Sequence, residues 1–216
     1  MAKDFAIVLN NGGINSAVAT ALAAQKFRPI MIYAEEGQST SARQRAAYDQ
    51  QVTHFKPYRE QTVTLPLVAA PNPAQTSSAD PRAVQPVGPR LIDLLPLISI
   101  SVQYANFYQA VAIYLGMRIG PEGDDLAQIT EFFQVWNEIV QIPCRLPELE
   151  LVTPLLELEP WQIIDLGFQV AAPFERTWSC EHEASEPCWS CRGCRAREAA
   201  FVQAAKPDPM RVAKRG

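Results

Sequence analysis

The 216-residue chain has no apolar stretch approaching the roughly 20 residues that a membrane-spanning helix needs. Its opening, MAKDFAIVLNNGG, carries too short an apolar run for a signal peptide and no small-residue cleavage site. Both absences point to a cytoplasmic protein with no membrane partner. An excess of basic charge is also lacking. The 19 Lys and Arg stand against 23 Asp and Glu, a net charge of -4, which excludes the broad positive footprint of a nucleic-acid-binding protein. The locally basic ending KPDPMRVAKRG reads as a solvated tail, and no internal repeat is present. Outside one short segment the only cysteine is Cys144, beside Pro143, which reads as a buried small hydrophobe. With 48% hydrophobic residues the chain has enough apolar surface for one sizeable core, so residues 1–216 are expected to form one domain.

What is present begins with a strand, a glycine turn and a helix. Phe5–Leu9 is an apolar run, Gly12 and Gly13 make the turn, and an alanine-rich helix starts at Ser16. This build suits an anion, because a helix N-terminus offers unpaired N–H groups and a partial positive charge, and glycine lets a phosphate approach the backbone. Yet no Lys, Arg, Asp or Glu lies between Leu9 and Gln25. A second strand at 29–33, a helix over 40–55 and a third strand at 62–68 continue the alternation, which implies right-handed crossovers and a parallel sheet. Residues 70–89, rich in Pro, Ser and Ala, read as a long loop. Beyond it, 94–116 reads as a long buried helix ending at Gly116, and 117–120 as a short strand. An amphipathic helix over 124–140 is capped by Asp124 or Asp125, a strand lies near 149–155, and a helix starts at Pro160-Trp161. The expected fold is α/β: an open, mostly parallel twisted sheet with helices on both faces and a ligand crevice at the carboxyl ends of the strands.

The segment TWSCEHEASEPCWSCRGCRAREAAF places Cys180, Cys188, Cys191 and Cys194 at C-x7-C-x2-C-x2-C. Four thiolates close a tetrahedral shell around zinc at about 2.3 Å per bond, and a shell with no open position is structural rather than catalytic. In a reducing compartment such crowding argues for a metal over disulfides. A redox C-x2-C pair, or plain buried cysteines, does not account for four in so short a span. His182 stands within it as a competing ligand. The helix beginning near Cys194 adds its positive dipole end. Residues 176–204 thus read as a C-terminal zinc-binding segment within the domain.

Two segments taken together resemble a known family. The ending TWSC...PCWSCRGCRAREAAF, preceded by TPLLELEPWQIIDLG, is similar to that of the 7-cyano-7-deazaguanine synthases of queuosine biosynthesis. LNNGGINS stands where that family has its pyrophosphatase loop, S-G-G-x-D-S. YAEEGQ resembles the Y-G-Q that follows the second strand, and VGPRLIDLLPLISISVQYA the V-P-G-R-N segment with its helix. The resemblance implies an adenine-nucleotide α-hydrolase-like fold, a homodimer, a structural zinc and a ligase. That ligase adenylates the carboxylate of 7-carboxy-7-deazaguanine with Mg-ATP, then uses ammonia to reach first an amide and then the nitrile. By the same resemblance Asn11, Gly12, Gly13, Asn15 and Ser16 hold the nucleotide, while Gln38 and Arg90 face the deazapurine.

The departures fall where chemistry is expected. The family's loop serine falls on Asn11, its loop aspartate on Asn15, and the V-P-G-R-N asparagine on Leu91. STSAR replaces the charged residues after Y-G-Q, and GPEGDDLAQITEFF has no clear counterpart of the family's Y-P-D. A neutral Asn15 cannot supply the charge that helps hold a Mg-pyrophosphate. Two readings follow: a divergent ligase that still binds ATP with its activity altered or weakened, or a non-catalytic, zinc-stabilised scaffold. Trp178 and Trp189 either pack in the core or border a base-sized pocket.

Overall fold

Ala6, Ile7 and Val8 are fully buried because β1 (Phe5–Leu9) is the middle strand of a parallel sheet covered on both faces. The computed structural model describes residues 3–35, 41–65, 91–119 and 125–212. Within them β2 (Arg28–Glu35), β3 (Arg59–Thr64), β4 (Ala112–Leu115) and β5 (Glu150–Val152) complete the sheet in the order β3-β2-β1-β4-β5, every pairing parallel. The helices are α1 (Ile14–Lys26), α2 (Ser41–Phe55), α3 (Leu91–Tyr108), α4 (Asp125–Cys144), α5 (Pro160–Gln169), α6 (Arg192–Gln203) and α7 (Pro209–Val212), with a 3-10 turn at Phe174–Arg176. The expected α/β architecture is therefore present. No helix among the described residues is long and apolar enough to cross a membrane.

Strand periodicity sorts the core into two layers. Ile7, Ile30, Ile32, Ile113 and Leu115 face α3 and α4, where Leu94, Ile98, Phe133 and Val140 meet them. Ala6, Val8, Ala112 and Tyr114 face the other way, towards Ala23 of α1. Val18, Ala19 and Ala21 of α1 then pack against Ile163 and Ile164 of α5 and Phe201 of α6. Each fully buried Ile contributes roughly 1.5–3 kcal/mol through lost water contact.

Four expected elements are corrected. The run 94–116 is not one helix: α3 stops at Tyr108, Gln109 takes a positive φ of 53°, and the Ala110 N–H closes on the Ala105 carbonyl. Its remainder is β4, buried along its whole length, and residues 117–119 leave the sheet instead of forming a strand. An apolar run of that length fits a buried helix and a buried strand equally, and pairing with β1 decides. The third strand begins at 59 rather than 62 and runs to 64, with 66–68 outside the described residues, and the fifth is confined to 150–152. The 70–89 loop and Asp124 lie outside the described residues, as does the side chain of Cys144.

The cysteine-bearing segment is tied to the sheet layer by a buried guanidinium. Arg197 of α6 donates from Nε and Nη2 to both carboxylate oxygens of Asp208 (2.6 and 2.7 Å), from Nη1 to Thr177 Oγ1 (2.6 Å) and from Nη2 to the Phe174 carbonyl (2.9 Å). Such a charge is tolerated in the interior because its donors are paired.

Candidate functional site

The strand order places the crossover reversal between β1 and β4, the position where open α/β sheets form a crevice outside their carboxyl ends. The loop from Asn10 to Ser16 occupies it. Asn10 organises the loop from below: its Nδ2 donates to Thr20 Oγ1 (2.9 Å) and Gln51 Oε1 (2.8 Å), while its Oδ1 accepts from the Gly12 N–H (2.8 Å). Gln51, wholly buried, passes the connection on to the Arg176 carbonyl at 3.1 Å. Gly12 has a φ of +78°, and a Cβ there would collide with the Gln44 carbonyl oxygen of α2. The Gly12 carbonyl accepts from Trp178 N–H at 2.9 Å, which joins the loop to the cysteine segment.

The loop also closes on itself. Asn11 Oδ1 accepts from the Ser16 hydroxyl (2.7 Å) and from the Gly13 N–H (3.0 Å), and the Asn11 N–H reaches Ser16 Oγ at 3.3 Å. The side chain at position 11 therefore takes up donors that an anion would otherwise receive. Gly13 caps α1 without a side-chain hydrogen bond, and Ile14, Asn15 and Ser16 of the first turn line the cavity between α1, α5 and α6.

Two cavities flank this loop. The first, about 320 Å³, lies over β1, β2 and β4 and is bordered by Leu9, Asn11, Tyr33, Ala34, Leu97 and Met117. The second, about 350 Å³, lies between α1, α5 and α6 and reaches Trp178 and Gly193. Asn11, Asn15, Ser16, Gly116 and Arg118 line both. The structure thus places Asn11, Gly13, Asn15 and Ser16 on the cavity walls, and Gly12 shapes the turn beneath them. Gln38 and Arg90, with Gly37, lie outside the described residues.

Sequence pattern does not single out Arg118 or Gly116 as site residues, since it assigns both to the wrong elements. The usable signal is the likeness of AIYLG at 112–116 to AIVL at 6–9, for these strands pair in register, Ala6 with Ala112 through Leu9 with Leu115. A Cβ on Gly116 would stand 2.8 Å from Asn15 C and O and 2.9 Å from Ser16 N, all backbone. Gly116→Ala is therefore expected to push the loop aside and cost about 1–3 kcal/mol, as overpacking does. A melting temperature equal to the native protein's would contradict this.

No Asp or Glu among the described residues lines either cavity. A magnesium ion there would find amide and hydroxyl oxygens but no carboxylate, so this donor set does not suit it well.

The cysteines do assemble. The Sγ atoms of Cys180, Cys188, Cys191 and Cys194 all lie within 4.8 Å of one another, with Cys180 to Cys191 at 3.9 Å and Cys188 to Cys194 at 4.0 Å. Tetrahedral Zn–S bonds of about 2.3 Å put sulfurs about 3.8 Å apart, so the group fits one four-coordinate ion. Backbone N–H groups of His182, Cys188, Cys191 and Cys194 approach the sulfurs at 3.3–3.5 Å. Hydrogen bonds from Ser190, side chain first and then N–H, and from the Cys191 N–H bring the Cys188 thiol down to about 5. Burial pushes Cys194 up to about 12. The group comprises the four thiols alone; His182 contributes its backbone. Trp178 packs with Ala47, Cys180 and Cys194 and also borders the second cavity, whereas Trp189 stacks beneath Arg211 at 4.3 Å.

The chain is similar to several known proteins. The chain is 28% identical to the 7-cyano-7-deazaguanine synthase of Koribacter versatilis over 97% of its own length and 94% of the relative's. It is 26% identical to that of Chloroherpeton thalassium over 95% of each. Among solved structures it has a distant likeness to the U34-tRNA thiolase NcsA from Methanococcus maripaludis, with a TM-score of 0.47 and 12% identity over 94% of this chain and 66% of that one. The sequence model of queuosine biosynthesis protein QueC matches residues 93–205, just over half of the chain, and the chain belongs to that family.

Proposed function

We propose that this chain is a divergent ligase of the 7-deazaguanine pathway, with an adenine nucleotide in the first cavity and a carboxylate-bearing deazapurine in the second. The inherited reaction, adenylation of that carboxylate followed by amination, then runs weakly or in altered form. One observation carries the reading: the glycine loop at the switch point and the first turn of α1 line both cavities, with no carboxylate among the described residues lining them. In this reading the loop holds phosphates through backbone N–H groups, which need no charged side chain. Catalysis suffers because negative charge developing in the transition state is poorly neutralised. One zinc per chain, on Cys180, Cys188, Cys191 and Cys194, holds segment 176–204 against the loop within a single domain. The protein is a cytoplasmic homodimer by analogy with its family.

The internal closure of Asn11 on Gly13 and Ser16 favours a second reading, a scaffold that keeps the fold and the metal without turnover. Calorimetric titration with Mg-ATP separates the two. Measurable heat with a dissociation constant in the micromolar to millimolar range supports the ligase; silence up to saturating nucleotide removes it and leaves the scaffold.

A further inference from the structure

The loop that should meet phosphate carries no charged side chain, so a side-chain cation at the site has to come from another element. Arg118 is the only cation among the described residues lining the first cavity. The second cavity is lined by Arg118 and Arg197, and Arg197 is committed to Asp208, Thr177 and Phe174. Arg118 also belongs to the short set of residues common to both cavities.

Its placement follows from β4. The strand ends at Leu115, Gly116 lies against the backbone of Asn15 and Ser16, and Arg118 follows two residues later. The guanidinium is then oriented from one side: Nε donates to the Leu158 carbonyl at 2.6 Å, and Nη2 to Glu159 Oε2 at 3.1 Å. These use two of the five donors of an arginine and leave the Nη1 edge for a planar, bidentate contact. Glu159 does not line either cavity, so its charge offsets that of Arg118 from behind rather than within the site.

We propose that Arg118 is the oxyanion-binding residue of this site, positioned by Leu158 and Glu159 to grip a phosphate or carboxylate where the two cavities meet. This rests on the ligand-binding reading above and goes beyond it by naming the group that supplies the charge. A guanidinium there strengthens the hold on an oxyanion because both are ionised and the geometry is forked.

The test is calorimetry on native protein and Arg118→Gln, with Mg-ATP in one arm and 7-carboxy-7-deazaguanine in the other, beside a thermal melt. The expected result is a dissociation constant weakened at least ~10-fold for one ligand with the melting temperature little changed. Loss in the nucleotide arm assigns the contact to phosphate, and loss in the other arm to the carboxylate. A purely structural role predicts the reverse, a lowered melting temperature with affinities unchanged, and that result overturns the proposal while leaving the ligand-binding reading intact. If native protein binds neither ligand, both fall. Should Arg118→Gln fail to fold, Arg118→Lys takes its place: it keeps the charge and loses the forked geometry, so the affinity for one ligand should fall severalfold, and unchanged affinities for both ligands overturn the proposal.

Discussion

Protein carrying Cys191→Ser is expected to purify with far less than one metal ion per chain and with residues 176–204 open to proteolysis. Cys191 is central to the group: its sulfur lies 3.9 Å from that of Cys180 and accepts from the N–H groups of Glu181 and Cys194, both at 3.4 Å. Structural zinc contributes about 10–16 kcal/mol of apparent binding free energy in small metal-folded peptides, and that free energy is folding free energy. Here the sheet has its own core, so the loss should be regional. It should still reach the loop, because the Trp178 N–H donates to the Gly12 carbonyl while its ring packs on Cys180 and Cys194. Metal analysis with protease mapping checks this. A native protein without zinc, or a Cys191→Ser variant that keeps it, would refute the assignment.

The double substitution Asn11→Ser, Asn15→Asp should raise pyrophosphate release with 7-carboxy-7-deazaguanine, Mg-ATP and ammonia by two to three orders of magnitude. Removing one well-placed electrostatic stabiliser typically costs about 2.7–4 kcal/mol, roughly 100- to 1,000-fold in rate. Two changes act together here. Serine at position 11 removes the amide that occupies Gly13 and Ser16, and aspartate at 15 places a carboxylate on a residue that lines both cavities. The substitutions should affect turnover more than nucleotide affinity, because the carboxylate at 15 acts on charge developing in the transition state, whereas position 11 frees one ground-state donor, the Gly13 N–H. Robust turnover by the native protein would show that Asn15 suffices. An inert double variant that still binds nucleotide would locate the block elsewhere.

The cysteine site and the first half of the sheet were legible because each depends on short-range pattern. Four cysteines within the span 180–194 can meet on one ion with little help from the rest of the fold, and the spacing alone singles out the four thiols that cluster. Likewise Phe5–Leu9, the glycine turn and α1 are adjacent in the chain, so strand, turn and helix signals identify them in order. β4 was not legible, since its buried Ala-Ile-Tyr-Leu is strand only because β1 lies open beside it.

The chemistry at the loop divides in the same way. By itself the sequence determined that position 15 is neutral and that no charged side chain lies between Leu9 and Gln25. Only the tertiary structure decided that Asn11 turns back on Ser16, that Asn10 is held by Gln51, and that Arg118 stands at the same loop. The physical reason is separation along the chain. Asn10 and Gln51 are 41 residues apart, and Gln51 and Arg176 are 125 apart, distances at which propensity and spacing carry no information and the order of strands in the sheet decides which side chains meet.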